Sequence, residues 1–163
     1  MPFTNPQPPA TPDPAEAGLG EGEPRIPSSA IPVVAAVIRR GDRCLLAQRQ
    51  AGKRHGGLWE FPGGKVGDGE SEWGALAREL QEELGVALVE VGPCLFTARD
   101  PGTSFLIRFW ASNVEGEPQP LEHAQLRWVT PTEARALRLA PADARFLREG
   151  MDRWEDWGRE SAG

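Results

Sequence analysis

Apolar residues are spread unevenly along the chain. From Met1 to about Ser29 Pro, Gly, Ala and acidic residues dominate, and Phe3 is the only aromatic. A segment so poor in apolar mass cannot bury enough surface to offset its ordering entropy, which predicts a disordered, Pro-rich tail over residues 1–29. Order is expected from Ile31. Ile31 to Arg39 is rich in Val, Ile and Ala, Gly41-Asp42 supplies a turn, and Cys44 to Gln48 follows as a second strand of a hairpin. Ala51 to Gly57 is a basic, Gly-containing loop, and Leu58-Trp59-Glu60-Phe61 is an apolar run with one acid in it, ended by Pro62-Gly63-Gly64. Val86 to Ala98 and Ser104 to Ser112 have strand character around Asp100-Pro101-Gly102, and Gln125 to Val129 makes a further short strand.

Two stretches have helical periodicity with start and stop signals. In Glu72 to Leu84 the positions Trp73, Leu76, Ala77, Leu80 and Leu84 share one stripe, Ser71 suits an N-cap and Gly85 a left-handed C-terminal position. Thr130-Pro131-Thr132-Glu133 has the spacing of a capping box with Pro at the first helical position. A last helix is expected from near Pro141 towards Trp157, with Trp154 and Trp157, three apart, pinning it to the body. Mixed strands and helices with short connections predict an α+β fold, an α/β/α sandwich around a mixed sheet. The expected organisation is one domain over 30–158 and a flexible C-terminus over 159–163.

The 163 residues suffice for one domain with a real core. A net charge of −6 argues against a nucleic-acid polymer as partner, because such binding needs clustered Lys and Arg. A small anionic ligand stays open, since metal ions can neutralise it locally. Cys44 and Cys94 form no disulfide framework and are expected as reduced thiols in the cytoplasm. No apolar run approaches the ~20 residues of a membrane span, and the start lacks the basic and apolar parts of a secretory leader. The two histidines, His55 and His123, are too few for a zinc site and are expected to be solvent-exposed.

The predicted Glu72–Leu84 helix carries the candidate chemistry. Glu79 is a helical neighbour of both Glu82 and Glu83, so three carboxylates crowd one side. Read alone, this is either a solvated acidic face or a site whose repulsion is relieved by a hard cation with oxygen ligands. The surroundings change the picture. Gly64 to Val86 reads GKVGDGESEWGALARELQEELGV. It resembles the Nudix box, G-x5-E-x7-R-E-U-x-E-E-x-G-U with U aliphatic. Gly64, Glu70, Arg78, Glu79, Leu80, Glu82, Glu83, Gly85 and Val86 fill every specified position. A chance match is on the order of 10⁻⁹ per window.

That resemblance implies a Nudix hydrolase cleaving a diphosphate linkage with divalent metal, Mg²⁺ first and Mn²⁺ as a substitute. It implies a metal set of Glu79, Glu82 and Glu83 with the carbonyl of Gly63, Arg78 orienting the glutamates, and Glu70 supporting the loop. Val33 to Ile38, Leu45 to Arg49 and Gly57 to Lys65 are similar to the MutT branch, which includes 8-oxo-dGTP diphosphatases and relatives acting on CTP or modified cytidine nucleotides. There a glutamate before the last strand joins the metal site, which makes Glu122 a ligand or base, with an exposed loop acid as the alternative. Glu79, Glu122 and Arg78 form the expected catalytic set, Glu79 the first choice as base. Leu139 to Asp143 is similar to the segment that meets the base, where Asp143 stands in place of the Asn of some members. Phe61 is either the wall of the base pocket or a core aromatic; Arg49 either contacts the nucleotide or lines a surface groove. Arg49, Phe61, Lys65 and Asp143 make up the expected substrate-binding set. The resemblance implies a small-molecule nucleotide as partner; charge and hydropathy argue against a polymer and a membrane, and a monomer and a homodimer both stay open. The alternatives are a CTP-type pyrophosphohydrolase and a silent nucleotide-binding module. An ionised Asp143 accepts hydrogen bonds only, which suits a donor-rich oxidised guanine.

Overall fold

In the computed structural model the described residues are 29–161, with side chains described as far as Trp157. The expected tail therefore lies almost wholly outside the described residues. The strands are β1 (Ile31–Arg40), β2 (Arg43–Gln48), β3 (Trp59–Glu60), β4 (Gly63–Lys65), β5 (Ala87–Arg99), β6 (Phe105–Glu115) and β7 (Gln125–Val129). The helices are α1 (Glu72–Leu84), α2 (Pro131–Arg135), α3 (Pro141–Glu149) and α4 (Met151–Ser161).

β1 is the spine. It runs parallel to β6 along eight paired residues, and β5 follows antiparallel on the far side of β6. On its other edge β1 meets β2 only at the hairpin end, Arg39 with Cys44 and Arg40 with Arg43. The two strands then diverge, and the segment from Trp59 to Lys65 fills the wedge: β3 pairs with β2, the Pro62 carbonyl accepts from Ala36 N–H at 2.7 Å, and β4 pairs with β1. β7 closes the far edge of β2. β1 alternates across the sheet. Ala35 and Val37 join Phe61, Phe109, Phe146, Trp154 and Trp157 on one face; Val34, Ala36 and Ile38 join Leu76, Leu80, Leu84 and Trp110 on the other. The sheet is thus sandwiched between α1 and the C-terminal helices, the expected α/β/α arrangement.

α1 has the expected bounds. Ser71 Oγ accepts from Gly74 N–H at 2.9 Å, a cap worth about 1 kcal/mol. Gly85 turns left-handed at φ 68° and returns its N–H to Gln81 O. The Thr130 capping box forms in full. One expectation changes. The last helix breaks at Gly150, which lies against Phe146 and Phe96 where a Cβ would crowd both rings. Its second half reaches Ser161. Gly-Gly has poor strand propensity by itself; β4 exists because the wedge between β1 and β2 offers it partners.

Candidate active site

Gly63 and Gly64 bring the β4 backbone against the acidic side of α1. A Cβ at Gly63 would run into the Val34 carbonyl, and one at Gly64 into the Glu79 carboxylate. Without side chains there, Gly63 N–H donates to Glu83 Oε2 at 3.1 Å. For Gly63 the resemblance implied a carbonyl ligand; the bond observed is from its amide.

The three box glutamates have different surroundings. Glu83 is 6% exposed, and burial with the charges of Glu79, Glu60 and Glu122 pushes its carboxyl up to about 9. Glu79 is also raised, by burial first, although Arg78 Nη1 donates to it at 2.9 Å. Glu82 is half exposed and meets Arg78 at 3.4 Å. Arg78 is itself held by Glu70, whose two oxygens take its Nε and Nη2 at 2.9 Å each. That pairing, with the Gly67 N–H, pulls Glu70 down to about 2. Arg78 thus links Glu70 to Glu79 and Glu82.

Glu122 reaches this site from the loop before β7. Leu121 N–H bonds to Glu83 O at 3.0 Å, and the Glu122 charge adds to the upward shift of both Glu79 and Glu83. Glu83 and Glu122 line a small cavity of about 90 Å³ with Arg49, Gln50, Lys53 and His123. As the side chains stand, no three His, Cys, Asp or Glu among the described residues converge on one ion position, because Arg78 holds Glu79 and Glu82. The donors nevertheless suit a divalent cation: they are all oxygen, and a cation would offset both the burial and the neighbouring charges that raise the Glu83 carboxyl.

A larger cavity of about 460 Å³ adjoins the acidic cluster, and Arg49 lines both. Val33, Phe105, Ile107, Ala140 and Ala142 give it apolar walls, and Glu60, Asp100 and Asp143 line it with acids. Segment 138–140 docks on β3 through Trp59 N–H to Arg138 O at 2.8 Å and Ala140 N–H to Trp59 O at 2.9 Å, which sets the start of α3 beside the cavity. There Asp143 accepts the Phe61 N–H at 2.8 Å and is 6% exposed. Burial, and then the Glu60 charge, hold its carboxyl well above the usual range, which favours the neutral form. The expectation of an ionised, accept-only Asp143 is thereby corrected: a neutral carboxyl both donates and accepts.

The structure divides the expected substrate-binding set. Arg49, Lys65 and Asp143 line the large cavity. Phe61 does not; it is 3% exposed and packs edge-on against Phe109 and Phe146, so the wall it was expected to supply comes instead from Phe105. Neither histidine is exposed as expected. His123 is 8% exposed with Nε2 3.1 Å from Glu60, and His55 is half-buried beside the cavity. Sequence reasoning also passed over Glu60, Lys53, Arg54, Asp100 and Phe105. Only Glu60 left a signal, as a charge inside an apolar run; it pairs with Arg49 at 3.1 Å.

The chain matches the NUDIX domain over residues 30–150. It is 44% identical over 124 residues to the Escherichia coli CTP pyrophosphohydrolase, covering 74% of this chain and 91% of that protein. It is 39% identical over 120 residues to a Mycobacterium tuberculosis protein named putative 8-oxo-dGTP diphosphatase 2, covering 72% of this chain and 85% of that one. The solution structure of the E. coli ORF135 protein is similar at TM-score 0.66 and 42% identity, covering 76% of this chain and 90% of that one. The crystal structure of a MutT NUDIX hydrolase from Burkholderia pseudomallei is similar at TM-score 0.66 and 29% identity, covering 74% and 97%.

Proposed function

The chain belongs to the NUDIX family, and from that premise we propose that it is a nucleoside triphosphate pyrophosphohydrolase releasing a nucleoside monophosphate and pyrophosphate. One observation carries the reading: an acidic cluster suited to cations and an apolar-walled cavity suited to a base adjoin, and Arg49 lines both. Nudix hydrolases act with a divalent metal; here Mg²⁺ is the first choice and Mn²⁺ the substitute. The residues to hold it are Glu79, Glu82, Glu83 and Glu122 with the Gly63 carbonyl. When bound, a divalent cation would supply charge neutralisation at the phosphates and at the attacking and leaving oxygens.

The chain's own groups supply the rest. Glu79 is the base that takes the proton from water, a role suited to a carboxyl raised by burial and worth typically 10²–10⁴-fold. Arg78, fixed by Glu70, orients it. Glu122 is the second choice as base, and pH–rate profiles of the Glu79→Gln and Glu122→Gln variants separate the two. Asp143, held by the Phe61 N–H, presents its second oxygen to the base.

The leading substrate is an oxidised guanine nucleotide, 8-oxo-dGTP. A neutral Asp143 removes part of the ground for it, because O6 with N7–H of 8-oxo-guanine and N3 with the amino group of cytosine each offer an acceptor beside a donor. The likeness to the E. coli CTP pyrophosphohydrolase favours CTP-type nucleotides as the second reading. Two buried free cysteines suit a reducing, cytoplasmic setting. The test is pyrophosphate release with Mg²⁺ from 8-oxo-dGTP and CTP, ranked by kcat/KM, with activity lost in chelator. Nucleotide binding without turnover of any triphosphate would instead mark a silent module.

A further inference from the structure

The geometry points to Lys53 as the residue that recognises the far end of the substrate's phosphate chain, and so as the determinant of phosphate number. The inference rests on the pyrophosphohydrolase reading. If the base occupies the large cavity and Arg49 stands where that cavity adjoins the small one, the phosphate chain leaves the base past Arg49 and ends in the small cavity. Beyond Arg49, the lysine or arginine lining that small cavity is Lys53.

The neighbouring cations are committed elsewhere. Arg49 donates to Glu60 at 3.1 Å and to Arg54 O at 2.6 Å. Arg54 pairs with Asp100 at 3.2 Å on the base side. Lys65 lies over the Phe105 ring at 4.9 Å, also on the base side. The Lys53 ammonium has no carboxylate within salt-bridge reach among the described residues.

The loop that carries Lys53 is also held in place. Gln50 Nε2 donates to the Glu122 carbonyl at 2.9 Å, so the basic loop is stapled to the segment bearing one of the acids. Gly56 N–H bonds to Lys53 O at 2.9 Å, and Gly57 N–H to Arg49 O at 2.9 Å. An exposed ammonium on a held loop, lining the same cavity as Glu83 and Glu122, is placed to meet charge at the end of a chain bound there. Part of its contribution is screened by water, which puts the expected effect at about tenfold, the low end for a charge-assisted contact.

The test is calorimetric binding of inorganic pyrophosphate with Mg²⁺ to the full chain, comparing wild type, Lys53→Met and Lys53→Arg. Lys53→Met is expected to raise the Kd for pyrophosphate about tenfold, with Lys53→Arg within about threefold of wild type. Binding of 8-oxo-dGMP and CMP should be unchanged. In steady state, the kcat/KM ratio of triphosphate to diphosphate of one base should narrow by the same factor in Lys53→Met. Unchanged pyrophosphate affinity in Lys53→Met, equal weakening of pyrophosphate and monophosphate, or no pyrophosphate binding by wild type would each overturn the assignment. A wild type that binds pyrophosphate but hydrolyses neither triphosphate overturns the enzymatic reading alone, and the calorimetric comparison still decides Lys53.

Discussion

At the scale of single residues, burial makes two carboxyls informative. Glu83 is the most buried of the box glutamates, and its acidity is set first by that burial and then by the charges around it. Glu83→Gln keeps the shape, removes a charge and is expected to lower kcat by at least about 10²-fold, while the metal-free protein melts at the same temperature or slightly higher. Steady-state rates with Mg²⁺ and a melting curve in chelator check both; near-normal turnover would remove Glu83 from the site. For Asp143 two substitutions divide its roles. Asp143→Ala leaves the buried Phe61 N–H without its partner, at a cost of about 1–3 kcal/mol, and should lower kcat/KM for the best nucleotide by about ten- to a hundredfold. Asp143→Asn keeps an acceptor for that N–H and a donor for the base, so kcat/KM should stay within about threefold. A large loss in the Asn variant would show that the carboxylate form is the one that reads the base.

At the scale of elements, α4 is held by a contact from the opposite end of the chain. Arg39, near the end of β1, lies 4.3 Å over the Trp154 ring and donates to the Trp154 carbonyl at 3.0 Å. Arg39→Met keeps much of the stem and removes both interactions, for an expected loss of about 1–2 kcal/mol and a Tm lower by roughly 3–8 °C. Both cavities lie away from this contact, so kcat/KM should hold; a change in kcat/KM at low temperature would show that α4 communicates with the site. α1 was legible because cap, periodicity and terminal glycine agree locally. The break at Gly150 was not; there the chain packs against Phe146 and against Phe96 of β5, a neighbour distant in sequence.

At the scale of the whole molecule, stability and function oppose each other through charge. Glu83 and Asp143 both have carboxyls raised above their unfolded values, so the folded state binds more protons than the unfolded state. Their stabilisation is fully present below the ordinary carboxyl range and is lost as pH rises, for Glu83 through about 9. In chelator, Tm should therefore fall as pH is raised from about 5 to 9, less steeply in Glu83→Gln and in Asp143→Asn. Mg²⁺ that binds the folded chain alone should raise Tm, by about 2.7 kcal/mol of stability at a hundredfold excess over its Kd, and flatten the same slope. Melting curves across pH with and without Mg²⁺ check this; a slope that Mg²⁺ leaves untouched would mean the cation does not meet Glu83.

The sequence by itself determined what depends on near neighbours in the chain. The box spacing, the Ser71 and Gly85 signals and the i, i+3 and i, i+4 placement of the glutamates are properties of one segment, and they sufficed for the family, the helix and the acidic cluster. The α/β/α arrangement followed from the order of elements. The tertiary structure alone decided what depends on residues far apart in sequence. β4 is a strand because β1 and β2 diverge and leave it a slot. Phe61 belongs to the core because Phe109 and Phe146 arrive against it, and the cavity wall passes to Phe105. Asp143 favours the neutral form because β3, α3 and the Glu60 charge enclose it, and no local pattern signals enclosure. Burial and the field of distant charges set acidity, and both exist only once the chain has closed on itself.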